Sequence, residues 1–133
     1  MSVLLVEDER VNRKILSIIL SRLVTDVREA ANGVEALAAC EARVPDVIIT
    51  DLSMPELDGL ELIAELGRRG WERPTIVLTA HNDGGLAEVV ARRHRLLFKP
   101  LRVNALADAL EQIATELGLY RLSERNGVEP PGP

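Results

Sequence analysis

Asp46-Val47-Ile48-Ile49-Thr50-Asp51-Leu52-Ser53-Met54-Pro55 is the stretch on which the fold turns. Its centre is an unbroken run of aliphatic and β-branched residues with no polar alternation. An acid and a loop-forming Pro follow. Such a run fits a strand buried on both faces, as the strands of a parallel sheet are. Working outward, Val3-Leu4-Leu5-Val6 and Ile76-Val77-Leu78-Thr79 are runs of the same kind, and Leu96-Leu97-Phe98 is a shorter one. Residues 27–30 are the weakest candidate and are expected at a sheet edge.

Helical spacing fills the gaps between these runs. Val11, Ile15, Ile18 and Ile19 are expected on one buried face, as are Val34, Leu37 and Ala38, then Leu60, Ile63 and Leu66, then Leu86, Val89 and Val90. Val103, Leu106, Leu110, Ile113 and Leu117 hold the cleanest stripe, over about four turns. Asn32-Gly33, Asp58-Gly59, Gly70, Asp83-Gly84-Gly85 and Gly118 punctuate the joints. Five strand–helix units read as an α/β, doubly wound domain. The expected form is a flavodoxin-like five-stranded parallel sheet of order 2-1-3-4-5 with five flanking helices.

The 133 residues suffice for one domain, expected over residues 1–118, with residues 119–133 as a tail or linker stub. Of the residues, 47% are hydrophobic, yet Trp71, Phe98 and Tyr120 are the only aromatics, so the core must be aliphatic. A net charge of −5 argues against a global grip on nucleic acid. No apolar run approaches the roughly 20 residues that span a bilayer, and the N-terminus lacks a signal-peptide pattern. One cysteine, Cys40, cannot form an internal disulfide and reads as a small helix residue; a cytoplasmic location is expected. His81 and His94 lack metal-ligand spacing and are expected on the surface or in loops.

Ligands of such sheets bind beyond the carboxyl ends of the strands. There the sequence places Glu7-Asp8-Glu9, Asp51, Thr79 and Lys99-Pro100. In the assumed order the first and third strands are neighbours, so Glu7, Asp8 and Asp51 converge. Packed carboxylates repel unless a positive charge lies among them, a need that Mg²⁺ with oxygen ligands would meet. Lys99 adds a compact cation and Thr79 a hydroxyl. The set suits transfer of a phosphoryl group to a carboxylate. Lys99 is also one of only two lysines, the other being Lys14, in a chain with fourteen arginines. A guanidinium fork would not replace its compact charge.

These anchors, with Val6-Glu7-Asp8-Glu9, Asp58-Gly59, Val77-Leu78-Thr79-Ala80 and Phe98-Lys99-Pro100 in order, resemble the receiver domains of two-component response regulators. The resemblance covers residues 2–118. It implies that Asp51 accepts phosphate from a phosphohistidine, with Thr79 and Lys99 bonding the phosphoryl group and a cis bond before Pro100. Asp8, Asp51 and the backbone carbonyl of Ser53 would hold Mg²⁺, with Glu7 acting through water. Ser53 and His81 are modulating positions. Arg10, Asn12, Arg13, Ile15 and Pro100 would touch a histidine kinase or histidine phosphotransfer protein, and output would pass to an unknown downstream protein, with no nucleic acid or membrane bound directly. The residues from Val6 to Lys14 further look like receivers attached to hybrid kinases. Two departures stand out. Leu96 occupies the switch position where receivers carry Tyr or Phe, with Phe98 two residues later on the same side of the strand. Residues 80–97 carry Gly84-Gly85 and Arg92-Arg93-His94-Arg95, so the fourth helix is expected to be short or irregular.

Two other classes compete. A phosphorylation-independent adaptor would keep the fold, and Leu96 favours it, but clustered carboxylates are costly without a metal. An aspartyl-phosphate phosphatase of the haloacid dehalogenase type shares an Asp, a Thr and a Lys, yet needs an acid where Ser53 stands.

Overall fold

The computed structural model describes residues 1–54, 56–80 and 94–118. Five strands, β1 (Ser2–Val6), β2 (Asp26–Ala30), β3 (Val47–Asp51), β4 (Thr75–Thr79) and β5 (Arg95–Phe98), form one parallel sheet in the order β2-β1-β3-β4-β5. Four helices are present among the described residues: α1 (Arg10–Leu23), α2 (Gly33–Ala42), α3 (Gly59–Arg68) and α4 (Val103–Glu116). The helix expected between β4 and β5, with its Leu86, Val89 and Val90 stripe, lies outside them, as do His81 and the tail. No helix is long and apolar enough to cross a membrane among the described residues.

The sheet separates two aliphatic cores. Val3, Leu5, Val47, Ile49, Ile76 and Leu78 face one way and pack with Leu20 of α1 and Leu106, Leu110 and Ile113 of α4. Leu4, Val6 and Ile48 face the other way, onto Ala36 and Cys40 of α2 and Leu62 and Leu66 of α3. All five residues of β3 and of β4 are buried, as their uninterrupted apolar runs require. The segment at residues 27–30 is indeed an edge strand, and β5 forms the other edge.

Three helix faces differ from expectation. On α4 the stripe is buried at Leu106, Leu110 and Ile113, but its end residues Val103 and Leu117 are exposed. On α1, Val11, Ile15 and Ile18 are exposed, and the core side is formed by Leu16, Ile19, Leu20 and Leu23. Both sets have helical spacing; the second is longer and leucine-rich, and it takes the core. On α2, Val34 and Ala38 are exposed and the inner face is made of Gly33, Ala36 and Cys40, with Leu37 partly buried. Small residues are needed there because a Cβ on Gly33 would stand 2.6 Å from Leu57 Cδ2. His94, expected at the surface or in a loop, is a buried loop residue entering β5, with Nε2 3.9 Å from Glu72 Oε1.

Helix starts place the loops. The Asp58 side chain accepts from Glu61 N while Glu61 Oε1 accepts from Asp58 N, a reciprocal cap on α3. Gly59 follows, with its N–H on the Leu52 carbonyl at 3.0 Å. A Cβ at Gly59 would lie 2.7 Å from the carbonyl oxygen of Asp51, so the close seating of α3 on the end of β3 depends on glycine.

Candidate functional site

The carboxyl ends of β1, β3 and β4 and the segment after β5 meet at one rim of the sheet. Glu7 directly follows β1 and extends its ladder, its N–H donating to the Ala30 carbonyl at 3.1 Å. Asp51 is the last residue of β3. Their alternation along the strands puts Glu7 with Leu5, and Asp51 with Ile49, on the α1–α4 side. Glu7 is 1% exposed and Asp51 8%, whereas Asp8 is exposed. One carboxylate oxygen from each of the three lies within 4.8 Å of the others.

Lys99 reaches into this cluster. Its Nζ donates to Asp51 Oδ2 at 2.9 Å and lies 3.8 Å from Glu7 Oε1. Its backbone N–H donates to the Thr79 carbonyl at 2.8 Å, which fixes the β5 end against β4. The Lys99–Pro100 bond is cis. Thr79 closes β4 and is 2% exposed; its register partner on β5 is Phe98.

One cation does not neutralise three acids. Burial pushes the Glu7 carboxyl up to about 7, with further upward pressure from the charge of Asp51 and a hydrogen bond with Asp8, against a downward pull from Lys99. Burial works against the charged form of Lys99, but its hydrogen bond to Asp51 and the charges of Asp51, Glu7 and Asp8 outweigh it and raise its pKa. Glu7 Oε1 is buried without a hydrogen-bond partner among the described residues. An orphaned anionic oxygen beside two further carboxylates is a donor set suited to a hard divalent cation. The residues therefore fit Mg²⁺.

The other expected site residues divide. Ser53 is exposed in the loop directly after Asp51, and Leu96 is half-buried against Leu52, Ile63 and Val77. Arg10 and Pro100 are exposed, Ile15 is 52% exposed, and Asn12 donates to Glu9 Oε2 at 3.0 Å. Arg13 instead turns inward, with Nη1 on the Glu7 carbonyl at 2.8 Å. Cys40 is buried and its thiol is pushed up by that burial, so it is poorly ionised. A cleft of ≈ 240 Å³ runs between α1 and α4, lined by Ile15, Leu16, Pro100 and Leu106, with Glu7 and Lys99 also on its wall.

Three features escaped the sequence reading. Val11 and Ile18 join Ile15 in an exposed apolar stripe beside the acidic rim, hidden in the sequence by a second apolar set on the same helix. The inward turn of Arg13 has no sequence signal. Gly59 was visible as turn punctuation, but its contact with Asp51 was not.

The chain is similar to known proteins over most of its length. A family model described as the response regulator receiver domain matches residues 3–111. The chemotaxis protein CheY1 of Helicobacter pylori is 37% identical over 121 residues, covering 85% of this chain and 96% of that protein. The positive alginate biosynthesis regulatory protein of Pseudomonas aeruginosa is 35% identical over 116 residues, covering 84% of this chain; the chain thus spans about half, 46%, of that relative. Among solved structures, the chemotaxis protein CheY4 of Vibrio cholerae superposes with a TM-score of 0.76 at 28% identity, over 84% of this chain and 97% of that one.

Proposed function

Because the chain belongs to the response regulator receiver family of two-component signalling, we propose that it is a phosphoacceptor that takes a phosphoryl group on Asp51. The observation that carries this reading is the buried Asp51 carboxylate, bonded to Lys99 at 2.9 Å beside the orphaned oxygen of Glu7. An Asp51 oxygen attacks phosphorus, a P–O bond forms, and the P–N bond of a phosphohistidine breaks, its electron pair returning to the imidazole nitrogen. Lys99 moves from the Asp51 carboxylate to the phosphoryl oxygens, and its compact ammonium offsets the charge that gathers on them. Thr79, buried at the end of β4, contributes its hydroxyl to the product. Asp8, Asp51 and the Ser53 carbonyl would hold Mg²⁺, with Glu7 acting through water, and the bound ion would supply the remaining positive charge. Ser53 and His81 modulate how long the acyl phosphate survives.

The donor is a histidine kinase or a histidine phosphotransfer protein. Arg10, Asn12, Ile15 and Pro100 face it, joined by Val11 and Ile18, whose exposure beside the acidic rim supports α1 as the docking element. A downstream protein reads the modified state. We place the exchange in the cytoplasm on the same reading.

Beryllofluoride, a phosphoryl mimic, tests the site directly. With Mg²⁺ it should shift the amide resonances of Asp51, Thr79 and Lys99 in wild type and leave Asp51→Asn unchanged. Equal shifts in Asp51→Asn would rule out Asp51 as the acceptor.

A further inference from the structure

Of the charged side chains on α1, Arg13 is held inside the molecule while Arg10 and Lys14 point outward. The Arg13 side chain is 19% exposed. Its Nη1 donates to the main-chain carbonyl of Glu7 at 2.8 Å, and its Nε lies 3.5 Å from Glu29 Oε1 on β2. The second oxygen of Glu29 accepts from Ser17 Oγ, one turn further along α1, at 3.1 Å. The Arg13 backbone N–H donates to the Glu9 carbonyl at 2.9 Å. One residue thus grips the turn Glu7-Asp8-Glu9 at both ends, by its side chain at the entry and by its main chain at the exit. Asp8 sits between the two grips.

We propose that Arg13 is a positioning residue for the divalent-cation site: with Glu29 and Ser17 as its anchor, it holds the β1–α1 turn so that Asp8 faces Glu7 and Asp51. This deepens the function proposed above and rests on it. Three clustered carboxylates push one another apart, and the exposed one has the most freedom to swing outward. A charge-assisted hydrogen bond to the peptide that carries it opposes that swing. Outer partners that orient metal ligands are commonly worth tenfold or more in metal affinity. The guanidinium presents Nη and Nε to two acceptors at once, which an ammonium at the end of a shorter stem does not.

The test uses the full chain and Mn²⁺ as the probe, followed by loss of its free-ion electron paramagnetic resonance signal. Arg13→Met should bind Mn²⁺ about tenfold more weakly than wild type, and Arg13→Lys should recover part of the loss. Glu29→Ala, which loosens Arg13 without touching the turn, should weaken binding by a smaller factor. The double variant should be no weaker than Arg13→Met alone. Phosphorylation of Asp51 by acetyl phosphate should fall in Arg13→Met at low Mg²⁺, with the deficit closing as Mg²⁺ is raised. A residue that only supports the fold would lower the urea midpoint and leave Mn²⁺ affinity as in wild type, and that outcome overturns the proposal. If Arg13→Met does not fold, wild-type Mn²⁺ affinity in Glu29→Ala overturns it equally. Wild type that binds no Mn²⁺ overturns the proposed function together with this inference, whereas normal wild-type binding with unaffected variants overturns this inference alone.

Discussion

Glu7 is a carboxyl buried to 1% exposure among like charges, and its pKa of about 7 lies well above the usual 4.5. A carboxyl raised in this way holds its proton more tightly in the native state than in the unfolded one. Between about pH 4.5 and 7 the native chain therefore carries the extra proton, so this group's contribution to stability falls as pH rises through that window and levels off above it. Glu7→Gln should remove the effect, making the metal-free variant more stable than wild type at pH 8 by on the order of 2 kcal/mol, with a smaller gap at pH 5.5. Urea midpoints of both proteins at the two pH values give the difference; an equal gap at both would show that Glu7 does not titrate in this window. Glu7, Asp8, Asp51, Thr79 and Lys99 were each legible in the sequence because they terminate hydrophobic runs. Arg13 was not, because the target of its side chain is a backbone carbonyl, and a sequence carries no record of which carbonyl a helix will face.

At the scale of elements, the seating of α3 on β3 sets the loop that follows Asp51. Gly59→Ala drives a methyl to 2.7 Å from the Asp51 carbonyl, which is backbone and cannot move aside. Gly33→Ala meets the Leu57 side chain, which can rotate. Gly59→Ala should cost about 1–3 kcal/mol and Gly33→Ala less, as read from urea unfolding. Equal costs would contradict the account of this joint. On α1, the exposed stripe predicts a different split. Ile15→Ser combined with Ile18→Ser should slow phosphorylation by a phosphohistidine donor far more than phosphorylation by acetyl phosphate, and stability should change by under about 0.5 kcal/mol per site. A loss of several kcal/mol would place these residues in the core after all. The strands were readable because unbroken apolar runs have few alternative homes. The face of α1 was not, since two apolar sets with the same helical period compete, and only the neighbouring α4 and the sheet decide which is covered.

At the scale of the whole molecule, the order β2-β1-β3-β4-β5 brings residues far apart in sequence, at positions 7, 51, 79 and 99, to one rim. The order was expected from the alternation of apolar runs with helical spacing in the sequence, for which right-handed crossovers leave few arrangements. Beneath this rim, aliphatic clusters pack on both faces of the sheet. Leu110→Ala, which empties a fully buried position of α4, should cost about 2–5 kcal/mol in urea unfolding. The central claim is that this rim transfers a phosphoryl group to Asp51. Intact-protein mass spectrometry after incubation with acetyl phosphate and Mg²⁺ tests it most directly. Wild type should gain the mass of one phosphoryl group, Asp51→Asn should gain none, and chelation of Mg²⁺ should suppress the gain. An Asp51→Asn chain labelled as fully as wild type, or a wild type that stays unlabelled, would contradict the account.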